Sequence, residues 1–394
     1  MRDGEDGQLG QGRPPASKPS APRRVLVLQG GGALGSYQGG VYEALVAERL
    51  EPEWVTGISI GAINAALIAG NPPERRVERL RAFWELISSS PGVTPATPKQ
   101  GWARAVFNVA SANWIAAFGA PGFFRPRLGM TLIAQPGTPE ALSLYDTSPL
   151  RKTLEEMIDF DLVNSKDATR LSVGAVDIVR GNTVVFDNTE RKIQPEHIMA
   201  SGALPPGFPP VTIDGVAYWD GGLVSNTPLQ FVLDQDSADP LVILQVDLFN
   251  AAGAMPTNLI EADERERDIH YSSRTRMNTD ACMKLRKAKM ALRKLLDRLP
   301  PELAEGEDFT LLQDVARENA VKIVQLIYRT RPYEGRTKDY EFSRPTMLEH
   351  WESGLADAQN ALREHRDQID TPAEGVATFD PGRATSEKER EVQL

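Results

Sequence analysis

Ser59 lies at the centre of Gly57-Ile58-Ser59-Ile60-Gly61, directly after the apolar run Trp54-Val55-Thr56 and directly before the small-residue segment Ala62 to Ala69. The pattern predicts a strand, a sharp turn and a helix, with a hydroxyl at the crest. A nucleophile held in this way needs strained backbone angles and no bulk beside it, which flanking glycines allow. A serine hydroxyl stays a weak nucleophile until a base takes its proton. The oxyanion formed in acyl transfer needs hydrogen-bond donors already in place. Upstream, Gly30-Gly31-Gly32-Ala33-Leu34-Gly35 also falls between a strand and a helix. Such a run supplies backbone N–H groups, reinforced by the positive end of the following helix. Gly30, Gly31, Gly32, Ala33 and Gly35 are therefore candidate oxyanion donors, and the chemistry indicated is acyl transfer through a serine.

The base is the discriminating question. Asp220, in Trp219-Asp220-Gly221-Gly222, follows a predicted strand, and Gly221 and Gly222 let another backbone approach closely. A carboxylate with an ordinary pKa of about 3.9 is a poor base at neutral pH, but burial against an apolar wall such as Trp219 raises it. A Ser-Asp-His order, with Asp220 followed by His270, His350 or His365, is the alternative. None of those histidines falls in a loop after a core strand, and His197 precedes Asp220. Each reads more simply as a surface or helix-packing residue. Gly30, Gly32 and Gly35 also fit G-x-G-x-x-G, a dinucleotide pattern. The acidic partner expected after the second strand is missing, since Glu51 and Glu53 precede that strand.

Composition narrows the field. A net charge of −10 over 394 residues argues against a nucleic-acid binder. Cys282 is the only cysteine, so no intrachain disulfide forms. The first residues carry no apolar signal core, and no stretch approaches the roughly 18 apolar residues of a membrane span. The expectation is a cytoplasmic protein needing no metal or cofactor, with peripheral membrane contact or secretion without a cleaved signal left open.

Residues 1–22 and 370–394 are rich in Gly, Pro, Ser or mixed charge and are predicted to be disordered. Val25 to Leu28 and Trp54 to Ile58 read as buried strands. Ser36 to Leu50 reads as a helix with Tyr37, Val41, Leu45 and Leu50 on one stripe, and Val77 to Ile87 as another. This β-α-β-α opening points to parallel strands covered by helices. Two hairpins follow, Leu171 to Phe186 and Val211 to Tyr218, the second turning at Asp214-Gly215. Leu241 to Val246 is a buried strand, and the first unit, residues 23–250, ends just after it. Residues 251–369 read as mainly helical. They include a basic helix from Asp280 to Leu299, with apolar positions Leu285, Ala288, Leu292, Leu295 and Leu299. They also include a strand from Val321 and a helix from Pro345 to His365 that buries Met347, Trp351, Leu355 and Leu362.

Two segments suit lipid. Residues 101–130 combine Trp102, Phe107, Trp114, Phe118, Phe123 and Phe124 with Arg104, Arg125 and Arg127 and contain no acid, as in a lid or a membrane-facing insertion. The stretch Lys284 to Arg298 is strongly basic and can lie on anionic lipid. An aromatic core insertion and a solvated helix face are the respective alternatives.

The glycine run, the Gly57 to Gly61 motif, Asp220-Gly221-Gly222 and the stretch Met199 to Val211 together resemble the patatin-like phospholipase family, in order and spacing, over about residues 24–250. The resemblance implies a three-layer α/β/α sandwich with a mostly parallel sheet. It implies Ser59 as nucleophile, Asp220 as proton acceptor and the glycine loop as oxyanion hole, in a hydrolase of lipid carboxylic esters. The C-terminal part, including Lys338 to Thr346, resembles an extension found in a bacterial subgroup. Leu34 stands where the family often has Arg or Lys, which bears on head-group preference. A catalytically silent lipid-binding scaffold is the non-enzymatic alternative.

Overall fold

The computed structural model describes residues 22–88, 97–98, 101–127, 129, 133–235, 239–316, 320–331, 333–370 and 376–380. The N-terminal segment expected to be disordered and most of the C-terminal one lie outside these residues.

The chain opens with β1 (Arg23–Leu28), α1 (Ser36–Ala47), β2 (Trp54–Ile58), α2 (Ile60–Ala69) and α3 (Arg76–Ile87). An insertion follows, with α4 (Gly101–Phe118), a two-stranded ribbon β3 (Arg125–Pro126) and β4 (Tyr145–Asp146), and between them the short α5 (Pro139–Leu142). The fold resumes with α6 (Ser148–Met157), α7 (Phe160–Val163), β5 (Arg170–Asp177), β6 (Thr183–Asp187), α8 (Pro195–Ser201), β7 (Val211–Ile213) and β8 (Val216–Asp220). Then come α9 (Leu229–Asp234), β9 (Leu241–Asp247), α10 (Leu259–Leu296), α11 (Glu307–Val315), β10 (Val321–Ile327), α12 (Arg344–Asp370) and β11 (Val376–Phe379).

One nine-stranded sheet runs β11-β10-β9-β1-β2-β5-β8-β7, with β6 on the far edge of β5. The six strands from β11 to β5 are parallel, and β6, β7 and β8 are added antiparallel. Strand alternation separates two cores. Leu26, Leu28, Val55, Leu244, Val246 and Val324 pack with α1, α2, α3 and α12. Val25, Val27, Trp54, Ile243, Val321 and Ile323 pack against α9 and α10. The result is the expected three-layer sandwich. The hairpin turn at Asp214-Gly215 has φ of 50° and 80°, as its sequence requires.

The sheet does not stop near residue 250. β10 pairs with β9 from Val321 to Ile327, and β11 pairs with β10 within the stretch read as a disordered tail. Residues 251–369 thus extend the sheet as well as adding helices. α10 begins at residue 259, well before the expected 280, because Asn258 caps it by accepting the Glu261 N–H at 3.0 Å. Its expected apolar stripe is also turned outward: Leu285 and Leu295 are exposed, while Cys282, Met283, Arg286 and Leu296 face the protein.

α12 crosses α1 at close range. A methyl group on Gly354 would lie 2.0 Å from the Tyr37 carbonyl oxygen. Alanine in a helix interior normally gains about 1 kcal/mol over glycine, but a clash with backbone that cannot rotate away outweighs it. Gly354→Ala is therefore expected to destabilise the protein by about 1–3 kcal/mol in urea unfolding.

Candidate active site

The parallel strands end on one side of the sheet, and β1 has β2 on one flank and β9 on the other. That reversal of strand order opens a crevice at the carboxyl ends, where α/β proteins place their ligands. Gly30 follows β1, Ser59 follows β2 and Phe249 follows β9 at this point. Asp220 reaches it from the antiparallel side. β2 pairs with β5 as far as Ile58 opposite Gly174, and β8 takes over with Asp220 opposite Ala175. Two residues some 160 positions apart are thus delivered to one spot by register alone.

Ser59 has φ 55° and ψ −124°, a conformation that costs an L-residue on the order of 1–3 kcal/mol. The turn survives because the residues two positions to either side, Gly57 and Gly61, carry no side chain. A methyl group on Gly57 would lie 2.2 Å from the Gly61 carbonyl oxygen, and one on Gly61 would lie 2.4 Å from that of Leu28. The Ser59 N–H is held by the Ser201 hydroxyl at 3.0 Å and the Ser201 carbonyl at 3.1 Å. The Ser201 hydroxyl in turn donates to the Gly174 carbonyl at 2.6 Å.

Asp220 is 2% exposed and accepts the Gly222 N–H at 2.7 Å. Burial is the largest influence on its carboxyl and pushes it up to about 6, against the opposing pull of the Ser59 hydroxyl and the Gly222 amide. The Ser59 hydroxyl, as a hydrogen-bond donor to Asp220, thereby favours the charged form. Trp219 is not the wall that was expected. It points to the opposite face of β8 and does not line the cavity, whereas Gly30, Ser59, Asn226 and Phe249 do.

The glycine run divides into two roles. Gly30 donates to the Asn226 carbonyl at 3.1 Å and receives the Asn226 side-chain amide at 2.9 Å. Ala33 donates to the Asp339 carbonyl at 2.8 Å. Ala33 and Gly35 are buried and do not line the cavity, which corrects their expected part in anion binding. Gly31 and Gly32 do line it, and their amides make no hydrogen bond to the described chain. The Ile60 amide, next after the serine, is likewise unpartnered among the described residues. Gly221 sits tight against β5, where a methyl group would lie 2.7 Å from the Gly174 oxygen. Gly222 lines the cavity beside Asp220. Leu34 is fully buried and offers nothing to a ligand.

The cavity above Ser59 measures about 660 Å³. One arm is apolar, formed by Ile63, Ile115, Phe123, Phe124, Phe208 and Phe342. The other is polar, with Glu266, Arg267, His270, Tyr271 and Asp339 from the C-terminal region. Phe123 and Phe124 are buried here and are not membrane-facing as their sequence context suggested. α4 roofs the apolar arm through Ile115 and Ala116. Its inward face is mixed: Ala112 and Ile115 are buried there, while Arg104 bonds Thr346 and Glu349, each at 3.0 Å, and Asn108 bonds the Tyr333 carbonyl at 3.3 Å. Its outward face carries Trp102, Val106, Val109, Trp114 and Phe118, with Trp102 82% exposed.

Two histidines are accounted for structurally. His197 Nδ1 accepts the Gln194 N–H at 3.0 Å and helps cap α8. His350 is fully buried, with Nε2 2.8 Å from Glu334. His270 lines the cavity on α10 but is not bonded to Asp220. His365 lies in α12, and its side chain is outside the described residues. No group of three or more His, Cys, Asp or Glu side chains suited to a metal ion occurs among the described residues.

Sequence reasoning missed Asn226, Ser201 in its anchoring role, and Asp339, whose contribution is a backbone carbonyl. Asn226 had a signal, lying six residues after Asp220 and just before Thr227-Pro228.

No curated protein matches this chain in sequence. Among solved structures it is similar to VipD from Legionella pneumophila, at 14% identity and a TM-score of 0.40, covering 89% of this chain and 68% of that one. It is also similar to the full-length SpcU–ExoU complex from the type III secretion system of Pseudomonas aeruginosa, at 14% identity and a TM-score of 0.30, covering 89% and 78%. A family model described as "Patatin phospholipase" matches residues 269–374. The model of the patatin-like phospholipases matches residues 26–233, more than half of the chain, and the chain belongs to that family.

Proposed function

We propose that this protein hydrolyses carboxylic esters of lipids through a Ser59–Asp220 dyad and an acyl-enzyme intermediate. The observation that carries the reading is a strained serine and a buried carboxyl brought to one cavity floor beside free backbone amides. Ser59 Oγ attacks the ester carbonyl carbon as Asp220 takes the hydroxyl proton. The carbonyl oxygen becomes an oxyanion, and the unpartnered amides of Gly31 and Gly32 are the donors nearest to hand, with that of Ile60. Collapse breaks the ester C–O bond, and the leaving alkoxide receives the proton from Asp220. Water then attacks the acyl-Ser59 carbonyl with Asp220 again accepting a proton, which releases the fatty acid and restores the serine.

The apolar arm suits an acyl chain. Pockets of about 300–1,000 Å³ typically hold ligands well above acetyl size, so medium and long acyl esters are the substrates proposed. The exposed face of α4 supports a way to reach them. Trp102, Trp114 and Phe118 face out, on a helix whose Ile115 and Ala116 line the cavity. Arg125 lies exposed nearby, and no acid occurs in residues 101–130. We assign α4, rather than the basic half of α10, as the surface that meets lipid, because α4 adjoins the cavity. No helix among the described residues is long and apolar enough to cross a membrane.

Ser59→Ala and Asp220→Ala are each expected to lower ester turnover by at least about 10³-fold, while His270→Ala keeps most of it. A fluorophosphonate probe should label Ser59 and no other residue on peptide mapping. A large loss in His270→Ala would favour a triad, and an unlabelled Ser59 in folded protein would favour a silent scaffold.

The Asp220 pKa sets the pH dependence. The active form is the carboxylate, so kcat/KM is expected to fall about tenfold per pH unit below about 6 and to level off above it. The stability effect has the opposite sign. A folded pKa of about 6 exceeds the unfolded value, so the contribution is present below about pH 4 and is lost as pH rises through 6. Asp220→Asn should therefore be more stable than the wild type at pH 8, by on the order of 2–3 kcal/mol, and not at pH 4. A flat rate profile from pH 5 to 8 would exclude Asp220 as the base.

For α4, Trp102→Ser with Phe118→Ser should weaken sedimentation with phosphatidylglycerol–phosphatidylcholine vesicles and slow hydrolysis of vesicle lipid. Turnover of soluble p-nitrophenyl acetate should stay unchanged. Equal loss on both substrates would assign the two side chains to folding instead.

A further inference from the structure

The loop that carries the free amides is braced from the far end of the chain. The Asp339 carbonyl accepts the Ala33 N–H at 2.8 Å. It also lies directly on Gly32, which has φ 54°; a methyl group there would be 2.0 Å from that oxygen. With Ala33 turned to Asp339 and Gly30 held by Asn226, the peptide units between them are fixed at both ends. Gly31 and Gly32 are left as the amides open to the cavity.

Asp339 is itself clamped. Its carboxylate pairs with Arg267 of α10 at 3.2 Å. The preceding residue, Lys338, is 3% exposed, and its ammonium donates to Asp268 at 2.7 Å, Thr330 at 2.9 Å and Glu264 at 3.3 Å. Three donors meet three acceptors, so the group is saturated. Buried ion pairs are weak sources of net stability, because desolvation offsets most of the attraction. They do fix position, since a residue with every bond taken has one low-energy place. Glu264, Arg267 and Asp268 stand on successive positions of one helical face, so α10 grips the Lys338–Asp339 step from one side while that step presses on Gly32 and Ala33 from the other.

We propose that Lys338 and Asp339 are positioning residues for the oxyanion loop, so that the C-terminal region completes the catalytic centre of the N-terminal one. This rests on the assignment of Ser59 as nucleophile. A clamp of this kind acts on the developing oxyanion and leaves ground-state binding alone. Interactions realised only in the transition state alter kcat and the affinity of tetrahedral analogues together.

The test uses the full chain with Lys338→Met and Asp339→Asn, a p-nitrophenyl ester, a trifluoromethyl ketone that adds to Ser59 as a tetrahedral analogue, and an unreactive ether analogue of the ester. Each variant is expected to lose about 10–100-fold in kcat, the scale of a small misplacement at a reacting centre. The ketone should lose affinity by the same factor, while KM and ether binding stay within about threefold. The proposal is overturned if a folded variant keeps wild-type kcat, or if kcat falls while ketone affinity does not. Should Lys338→Met fail to melt cooperatively, Asp339→Asn decides alone, because it keeps the backbone carbonyl and changes only the partly exposed carboxylate. A wild-type protein inert to both fluorophosphonate and ketone would defeat the proposed hydrolase activity itself, a result distinct from either variant outcome.

Discussion

The site depends on how closely the turn carrying Ser59 can be drawn against the ends of β1 and β2. Gly57 and Gly61 touch backbone on either side, so the serine is pressed into a conformation that an ordinary residue would relax out of. Ser201 then holds its amide from β5's side. With the turn fixed, its hydroxyl can face only the crevice, and β8 needs merely to end in register with β5 for Asp220 to meet it. The strain is small beside the packing of the two cores that flank the sheet, which is why the arrangement can persist.

A carboxyl in that position serves two opposed ends. Removing it from water raises its proton affinity into the useful range for a base near neutral pH. The same removal makes the charged form costly, and only the Gly222 amide and the Ser59 hydroxyl relieve it. Stability is given up here, at the Asp220 carboxyl as well as in the Ser59 backbone. The polar arm of the cavity is different in kind. Arg267 and Asp339 pair there at 3.2 Å, both partly exposed, while Leu34 is fully buried and brings no charge to the cavity.

Much of the fold was legible in the sequence, and so were the residues now proposed for the site, for specific reasons. The motif around Ser59, the strand entering Asp220 and the Asp214-Gly215 turn each impose local geometry through residue type, and local geometry survives into the structure. The stripe of α12 was readable because Trp351 and Leu362 do face the core. Other features were hidden by physics that sequence patterns do not encode. α4 puts arginine and asparagine inward and tryptophan outward, so no regular stripe marks the helix in the sequence, and the segment reads only as an aromatic, basic insertion. Leu285 and Leu295 are at helical spacing on α10 but lie largely exposed. Asp339 acts through its main chain, which every residue possesses, and so leaves no mark in composition. Ala33 and Gly35 sit inside a motif whose other members face the cavity, and only the three-dimensional path of the loop separates them.

The late position of residues 339–342 has a consequence for how the protein comes into being. Ser59, the glycine loop and Asp220 all leave the ribosome well before Phe342. At about 5–20 residues per second, the interval is roughly 6–24 s. During that time the crevice lacks the wall supplied by α10, Asp339 and Phe342, and β9 presents a bare edge awaiting β10. Until that wall is made, the crevice where Ser59 and Asp220 meet stands open on the side that the C-terminal region later covers.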